Sequence, residues 1–241
     1  MKILDDIISA LDPDTAAKDI RQGLFYTGVL TRNCGLAATL PRDALKQGRS
    51  LVDRPGILLD RSPLELARMA YSESLLEAAI GMATINSLVE IDERSCRELN
   101  AGNLIAETGA GKATVVIGHF PFVPRLKGLI SELKVIEKNP VGGDYAETET
   151  ERLVPEADVV AITGTAFTNH TIENLLRLCS PRAYVIVLGG TVPMSDVLFD
   201  YGVDAISGTM VTEPEMVLRC VSQGANYRQI KGIRQITMTR E

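Results

Sequence analysis

Three features of the sequence predict an α/β protein: a doubly wound parallel-sheet domain preceded by a smaller α+β domain. From residue 112 onward, short apolar or β-branched runs recur, "TVVIGH", "LKVIEK", "ADVVAITG", "AYVIVLGG" and "DAISGTM". Near-continuous apolar runs of this length mark strands covered on both faces, as in a parallel sheet. Helix-spaced segments, "TIENLLRLC" and "EPEMVLRCV", alternate with them, the pattern of crossover connections. Before residue 93 the pattern differs, reading helix, hairpin, helix.

Element by element, Ile3, Leu4, Ile7, Ile8 and Leu11 fall at helical spacing and Pro13 stops that helix. "GLFYTGVLTR" and "GLAATL" read as two strands joined around Asn33, Cys34 and Gly35. "KQGRSLVDRPG" reads as loop. "SPLE" at Ser62 to Glu65 combines a serine N-cap, a first-turn proline and a glutamate three residues after the cap, which predicts a helix start. The expected helix runs to about Val89 and is apolar around most of its circumference, with Ala78, Ala79, Gly81 and Ala83 permitting close approach. On one continuous helix Glu73, Glu77 and Thr84 share a stripe, either a solvated face or the wall of a cleft between domains. The division expected is a small domain over 1–92, a linker over 93–102, and an α/β domain over 103–241, ending in "RQITM" as an edge strand. "TGAGKAT" at 108–114 is not a phosphate loop, because Ala106 and Ala113 replace the required glycine and hydroxyl and the strand follows it.

The net charge of −6 across 241 residues leaves no basic excess for nucleic acid. No uncharged stretch approaches membrane-spanning length, so no membrane partner and a cytoplasmic location are expected. Cys34, Cys96, Cys179 and Cys220 are widely spaced without a CxxC pair, consistent with four reduced thiols. A homodimer is the default assembly.

In an open parallel sheet, ligands bind at the carboxyl ends of the strands. The first loop there is Gly118, His119, Phe120 and Pro121; with one glycine and a proline it cannot wrap a pyrophosphate tightly. Glu137 follows the second strand, spaced either as a ribose-binding acid or as a surface acid. Thr163, Gly164, Thr165 and Asn169 lie before a helix, suited either to holding an anion or to helix capping by Thr168 or Asn169. Gly189 and Thr191 occupy the fourth loop. His119 and His170 could transfer protons or bind metal, or simply be hydrogen-bonded loop residues.

The set "IGHFPFVPRLKG", "VIEKNPVGGD", "LVPEADVVAITGTAFTNHTIENLL" and "GVDAISGTMV", with "EAAIGMATIN", resembles the family described as "putative heavy-metal chelation". The resemblance implies a small enolase N-terminal-like domain joined to a Rossmann-like domain. It also implies a site between them for pterin, flavin or metallophore-like molecules. It carries Gly118, Phe120, Pro121, Glu137, Thr163, Gly164, Thr165 and Asn169 as contact positions. His170 departs from the small residue expected there, and Gly190 and Thr191 replace a commoner proline and serine.

Three functions compete. One is a small-molecule site between the domains, possessing Glu73, Glu77 and His170 as candidate acid or base groups. The second is a non-catalytic module holding a metal or metal chelate through Cys34, His119 and His170. The third is an S-adenosylmethionine-dependent methyltransferase-like protein using Glu137 on ribose.

Overall fold

The computed structural model describes residues 1–47 and 51–240, so part of the loop expected from Lys46 to Gly56 lies outside the described residues. Helix α1 (Lys2–Ser9) buries Ile3, Leu4, Ile7 and Ile8, as their spacing requires. Strand β1 (Asp19–Gln22), which no sequence pattern announced, pairs antiparallel with β2 (Tyr26–Leu30), and β2 pairs with β3 (Cys34–Ala38). The hairpin exists, but Cys34 and Gly35 belong to the strand and the turn falls on residues 31–33. Gly35 is needed for proximity: a Cβ there would lie 2.1 Å from the carbonyl oxygen of Ala83.

A short helix α2 (Pro41–Lys46) precedes α3 (Pro63–Arg68), which carries the capping box read from the sequence. The Glu65 N–H donates to Ser62 Oγ at 3.3 Å, and the Ser62 N–H donates to Glu65 Oε2 at 2.8 Å. The single long helix expected up to Val89 is broken. A 3₁₀ turn over Met69–Tyr71 leads to an extended Ser72, and α4 (Leu75–Leu88) starts afresh. The fold-back places Gly81 against the preceding turn so closely that a Cβ would stand 1.9 Å from Ala70 N. Glu73 therefore lies outside α4, exposed, while Thr84 is buried and donates its hydroxyl to the Ile80 carbonyl at 2.8 Å. The expected Glu73, Glu77 and Thr84 stripe does not form.

Within the segment expected as linker, β4 (Cys96–Arg97) joins the large sheet, and α5 (Ala101–Thr108) starts at Asn100, whose Oδ1 accepts the Gly102 N–H at 2.9 Å. The strands that follow are β5 (Thr114–Ile117), β6 (Leu133–Glu137), β7 (Tyr145–Ala146), β8 (Val159–Thr163), β9 (Tyr184–Leu188), β10 (Ala205–Val211) and β11 (Ile233–Thr239). Between them lie α6 (Val123–Lys127), α7 (Thr150–Leu153), α8 (Thr165–Thr168), α9 (Ile172–Leu178), α10 (Val197–Asp200) and α11 (Pro214–Ser222). The spatial order is β4-β11-β10-β9-β8-β5-β6-β7, parallel from β7 to β10, with β11 and β4 added antiparallel. The chain moves outward from β5 through β6 to β7, then returns to build β8, β9 and β10 on the other side. The order reverses between β5 and β8, the switch point at which such sheets bind ligands.

The two parts share a core. Met82, Ala83 and Ile85 of α4 pack in one buried cluster with Val115, Ile162 and Val187 of the large sheet. On the other face of the small sheet, Cys34 and Leu36 pack against Val217, Leu218 and Val221 of α11. The small sheet is thus sandwiched between α4 and α11, which explains why four consecutive residues of β3 are buried. Each fully buried aliphatic side chain contributes about 1.5–3 kcal/mol, so this contact holds the two parts as one unit.

Candidate functional site

At the end of β5, Gly118 turns with φ 106°, and a Cβ there would stand 3.0 Å from the Thr163 Cβ. Only glycine lets the chain leave the strand so close to β8 without strain. The next N–H, of His119, donates to Glu137 Oε1 at 2.9 Å, while the Lys138 N–H donates to Oε2 at 2.7 Å. Two backbone donors therefore hold the Glu137 carboxylate at the tip of β6.

His119 is held from its ring as well. Its Nδ1 lies 2.7 Å from Asp144 Oδ2, and the Asp144 side chain is 0% exposed. Lys127 Nζ stands 3.5 Å from the other carboxylate oxygen. Burial alone raises the Asp144 carboxyl; the hydrogen bonds from His119 and the Val141 N–H, with the charges of His119 and Lys127, outweigh it and hold the group below its ordinary range. An acceptor carboxylate places the ring proton on Nδ1 and leaves Nε2 for a ligand. Asp144 was not anticipated. The one local signal was the preceding pair Gly142 and Gly143, both at positive φ, which curls the loop back beneath His119.

A cavity of about 610 Å³ opens here. Gly118, His119, Phe120, Glu137, Thr163, Thr165 and Asn169 line one side, and Phe25 with Leu40 to Asp43 from the first part of the chain line the other. The Thr163 and Thr165 hydroxyls are 3.1 Å apart. Asn169 Oδ1 accepts from the Thr171 hydroxyl at 2.7 Å, which leaves the Asn169 NH₂ donors for a ligand. Neither Thr168 nor Asn169 is the N-cap of α9, a position held by Thr171. Leu40 has φ 54°, a strained conformation for a residue with a side chain, at the point where the chain enters the cavity wall.

A second cavity, about 780 Å³, lies on the other side of the first loop. His119 and Phe120 line both, while Pro121 and Gly189 line this one alone. The Phe120 ring lies over the strand ends: its edge would be 3.3 Å from a Cβ on Gly118 and 4.0 Å from one on Gly189.

Several residues singled out in the sequence lie elsewhere. Glu77 Oε1 accepts the Asp53 N–H at 2.8 Å and Oε2 the Ser72 hydroxyl at 2.6 Å, so it fastens the chain break before α4; neither it nor Glu73 lines either cavity. The His170 Nε2 donates to the Ala70 carbonyl at 2.8 Å, tying the α8–α9 turn to the first part of the chain. Its φ of 61° is the conformation a glycine adopts freely, which accounts for a small residue being expected there. Gly164 packs on Val192, where a Cβ would come within 2.5 Å of a side-chain methyl. Thr191 is buried, its Oγ1 accepting the Ala38 N–H at 2.9 Å and its carbonyl the Asn86 amide at 3.1 Å. It is a clasp between the two parts.

The proposed trio of Cys34, His119 and His170 is not brought together. Cys34 is packed on α11, where burial pushes its thiol up to about 12. Among the described residues, no group of three or more His, Cys, Asp or Glu side chains could hold a metal ion. No helix among them is long and apolar enough to cross a membrane.

The sheet order, the switch-point cavity and the sheet packed between α4 and α11 define a two-part α/β protein with a Rossmann-like half. The chain belongs to the family described as "Putative heavy-metal chelation": one family model of that description matches residues 100–240 and another matches residues 4–89. It is similar to an uncharacterized protein of Methanocaldococcus jannaschii, 24% identical over 235 residues that span 94% of this chain and 91% of that one. Its fold matches the crystal structure of a protein of unknown function from the DUF364 family of Desulfitobacterium hafniense, with TM-score 0.84 and 24% identity, covering 99% of this chain and 98% of that one. A DUF364 protein of Pyrococcus horikoshii matches equally, with TM-score 0.84 and 23% identity over 99% and 98% of the two chains.

Proposed function

We propose that the protein binds a small pterin-, flavin- or metallophore-like molecule in the 610 Å³ cleft between its two parts, and that metal enters only as part of such a ligand. The observation that carries this reading is Glu137, whose carboxylate is fixed by two backbone N–H groups at the mouth of a cleft walled by both parts of the chain. A carboxylate held this way is ready to accept from ring N–H or hydroxyl groups without reorganising. Asn169 supplies donors nearby. His119, oriented by Asp144, takes the proton-transfer role in this reading, in preference to Glu73, Glu77 and His170, the other candidates the sequence offered.

Direct metal binding by side chains is disfavoured, because the Cys34 thiol stays protonated at neutral pH and no metal-holding group of His, Cys, Asp or Glu side chains forms among the described residues. A methyltransferase-like use of the sheet edge fits poorly as well. A cofactor lying across the β5 end would have to displace the Phe120 ring.

Fluorescence titration with pterin and with flavin mononucleotide tests the reading. Losing a charged hydrogen-bond partner costs about 1.5–3 kcal/mol, about ten-fold or more in affinity. Glu137→Ala and Asn169→Ala should show that loss without unfolding. If neither probe binds the wild type, or both variants bind like it, the reading fails.

A further inference from the structure

The two cavities on either side of Phe120 differ in charge. The first is lined by Arg42 and Lys138 against Asp43, Glu137 and Glu147, so its carboxylates outnumber its cations. The second is lined by Arg125 and Arg228, with no carboxylate among its described lining residues. In a chain of net charge −6, such a cavity is a local inversion that selects anions.

Its walls are aromatic. Phe120 and Phe122 stack with ring centroids 5.1 Å apart and planes 4° from parallel. Tyr26 and Tyr227 form a tilted pair with centroids at 5.8 Å. Both pairs stand on the same two-residue floor: a Cβ on Gly190 would lie 3.1 Å from each tyrosine ring, and one on Gly189 4.0 Å from the Phe120 edge. The tyrosine rings already cover Gly190, whereas Gly189 meets nothing closer than ordinary van der Waals contact, so a flat ring can approach the backbone at Gly189.

The polar groups are few. Tyr227 OH is 2.6 Å from Thr209 Oγ1, whereas the Tyr26 hydroxyl has no partner among the described residues. Arg125 is steadied by Asn103 Oδ1 at 2.6 Å. The exposed Arg228 guanidinium has no acceptor among the described residues. A concave, mostly apolar cavity with a few convergent polar groups is the ordinary form of a small-molecule site.

We infer that this second cavity is a separate binding site for a planar aromatic or heteroaromatic ring bearing an anionic group. The ring lies over Gly189, between the Phe120 edge and the Tyr26–Tyr227 pair, and the anion is held by Arg228 and Arg125. Aromatic contact sets the shape of the ligand, and the guanidinium groups set its charge. Tyr26, from the first part of the chain, donates its hydroxyl to a ring acceptor. This site does not depend on the first cleft being occupied.

The test uses the intact protein and three fluorescent probes: 2-naphthoate, 2-naphthyl phosphate and the neutral 2-naphthamide. Wild type should bind at least one anionic probe saturably and at least about ten-fold more tightly than the amide, a ratio worth about 1.4 kcal/mol. Arg125→Gln combined with Arg228→Gln, both at exposed positions, should remove that preference. Tyr227→Leu should weaken all three probes, and Asn169→Ala, at a residue that lines the first cavity and not the second, none. Carboxylate or phosphate preference is read directly from the two anionic arms. Failure of both anions to bind, equal binding of the amide, or an Asn169→Ala loss matching that of the arginine pair overturns the inference.

Discussion

The imidazole of His119 is anchored through Nδ1 at 2.7 Å to the carboxylate of Asp144, which lies on a loop, residues 138–144, with no residue helical or paired in the sheet. Asp144 is thereby coupled both to stability and to whatever His119 does in the cavities. Because the folded-state carboxyl is held below its ordinary value of 3.8, the unfolded chain binds the proton more readily. The stabilisation is fully present above that value and is lost as pH falls through the lower folded value. Chemical denaturation of wild type and Asp144→Asn should show a stability difference at pH 7 that shrinks below about pH 4. A difference independent of pH would show that the carboxylate charge is not what stabilises the loop.

Thr191 offers a contrast between holding the fold and holding a ligand. Thr191→Val keeps the volume but leaves the Ala38 N–H without its acceptor in a half-buried setting. The expected loss is about 1–3 kcal/mol in denaturation, with pterin or flavin binding unchanged in the variant that remains folded. Loss of binding at unchanged stability would return Thr191 to the ligand contacts.

The small sheet should not survive without the rest. Leu218 of α11 covers its outer face beside Leu36, so Leu218→Ala should cost about 2–5 kcal/mol in a single unfolding transition shared by both parts. A fragment of residues 1–92 should give no cooperative melt by circular dichroism, since β2 and β3 would lose that cover. A folded fragment would show that the α11 contact is dispensable.

The thiols should be inert. Burial pushes Cys34 and Cys179 each up to about 12, so at neutral pH neither is appreciably a thiolate. Both should react slowly with Ellman's reagent in the native protein and rapidly after unfolding. Cys34→Ala should leave calorimetric titrations with zinc or nickel unchanged, and a lost binding isotherm in that variant would reinstate a direct thiolate site.

The apolar runs alone determined the parallel strands β5, β6, β8, β9 and β10, because these are buried or half-buried along their length and so carry their pattern in the chain itself, whereas β7, exposed at both residues, carried none. The capping box at Ser62 and Glu65 was equally legible, since its two hydrogen bonds span three residues. The carboxyl-edge rule likewise brought Gly118, Glu137, Thr163 and Asn169 to one cavity wall. What only the tertiary structure decided are matters of distant partners. The break at Ser72 is made by Gly81 meeting Ala70, β1 is a strand because β2 offers it an edge, and His119 rather than His170 faces the cavities because Asp144 lies beneath it. Local sequence encodes period and capping, whereas which polar group a side chain meets depends on where the rest of the chain has folded.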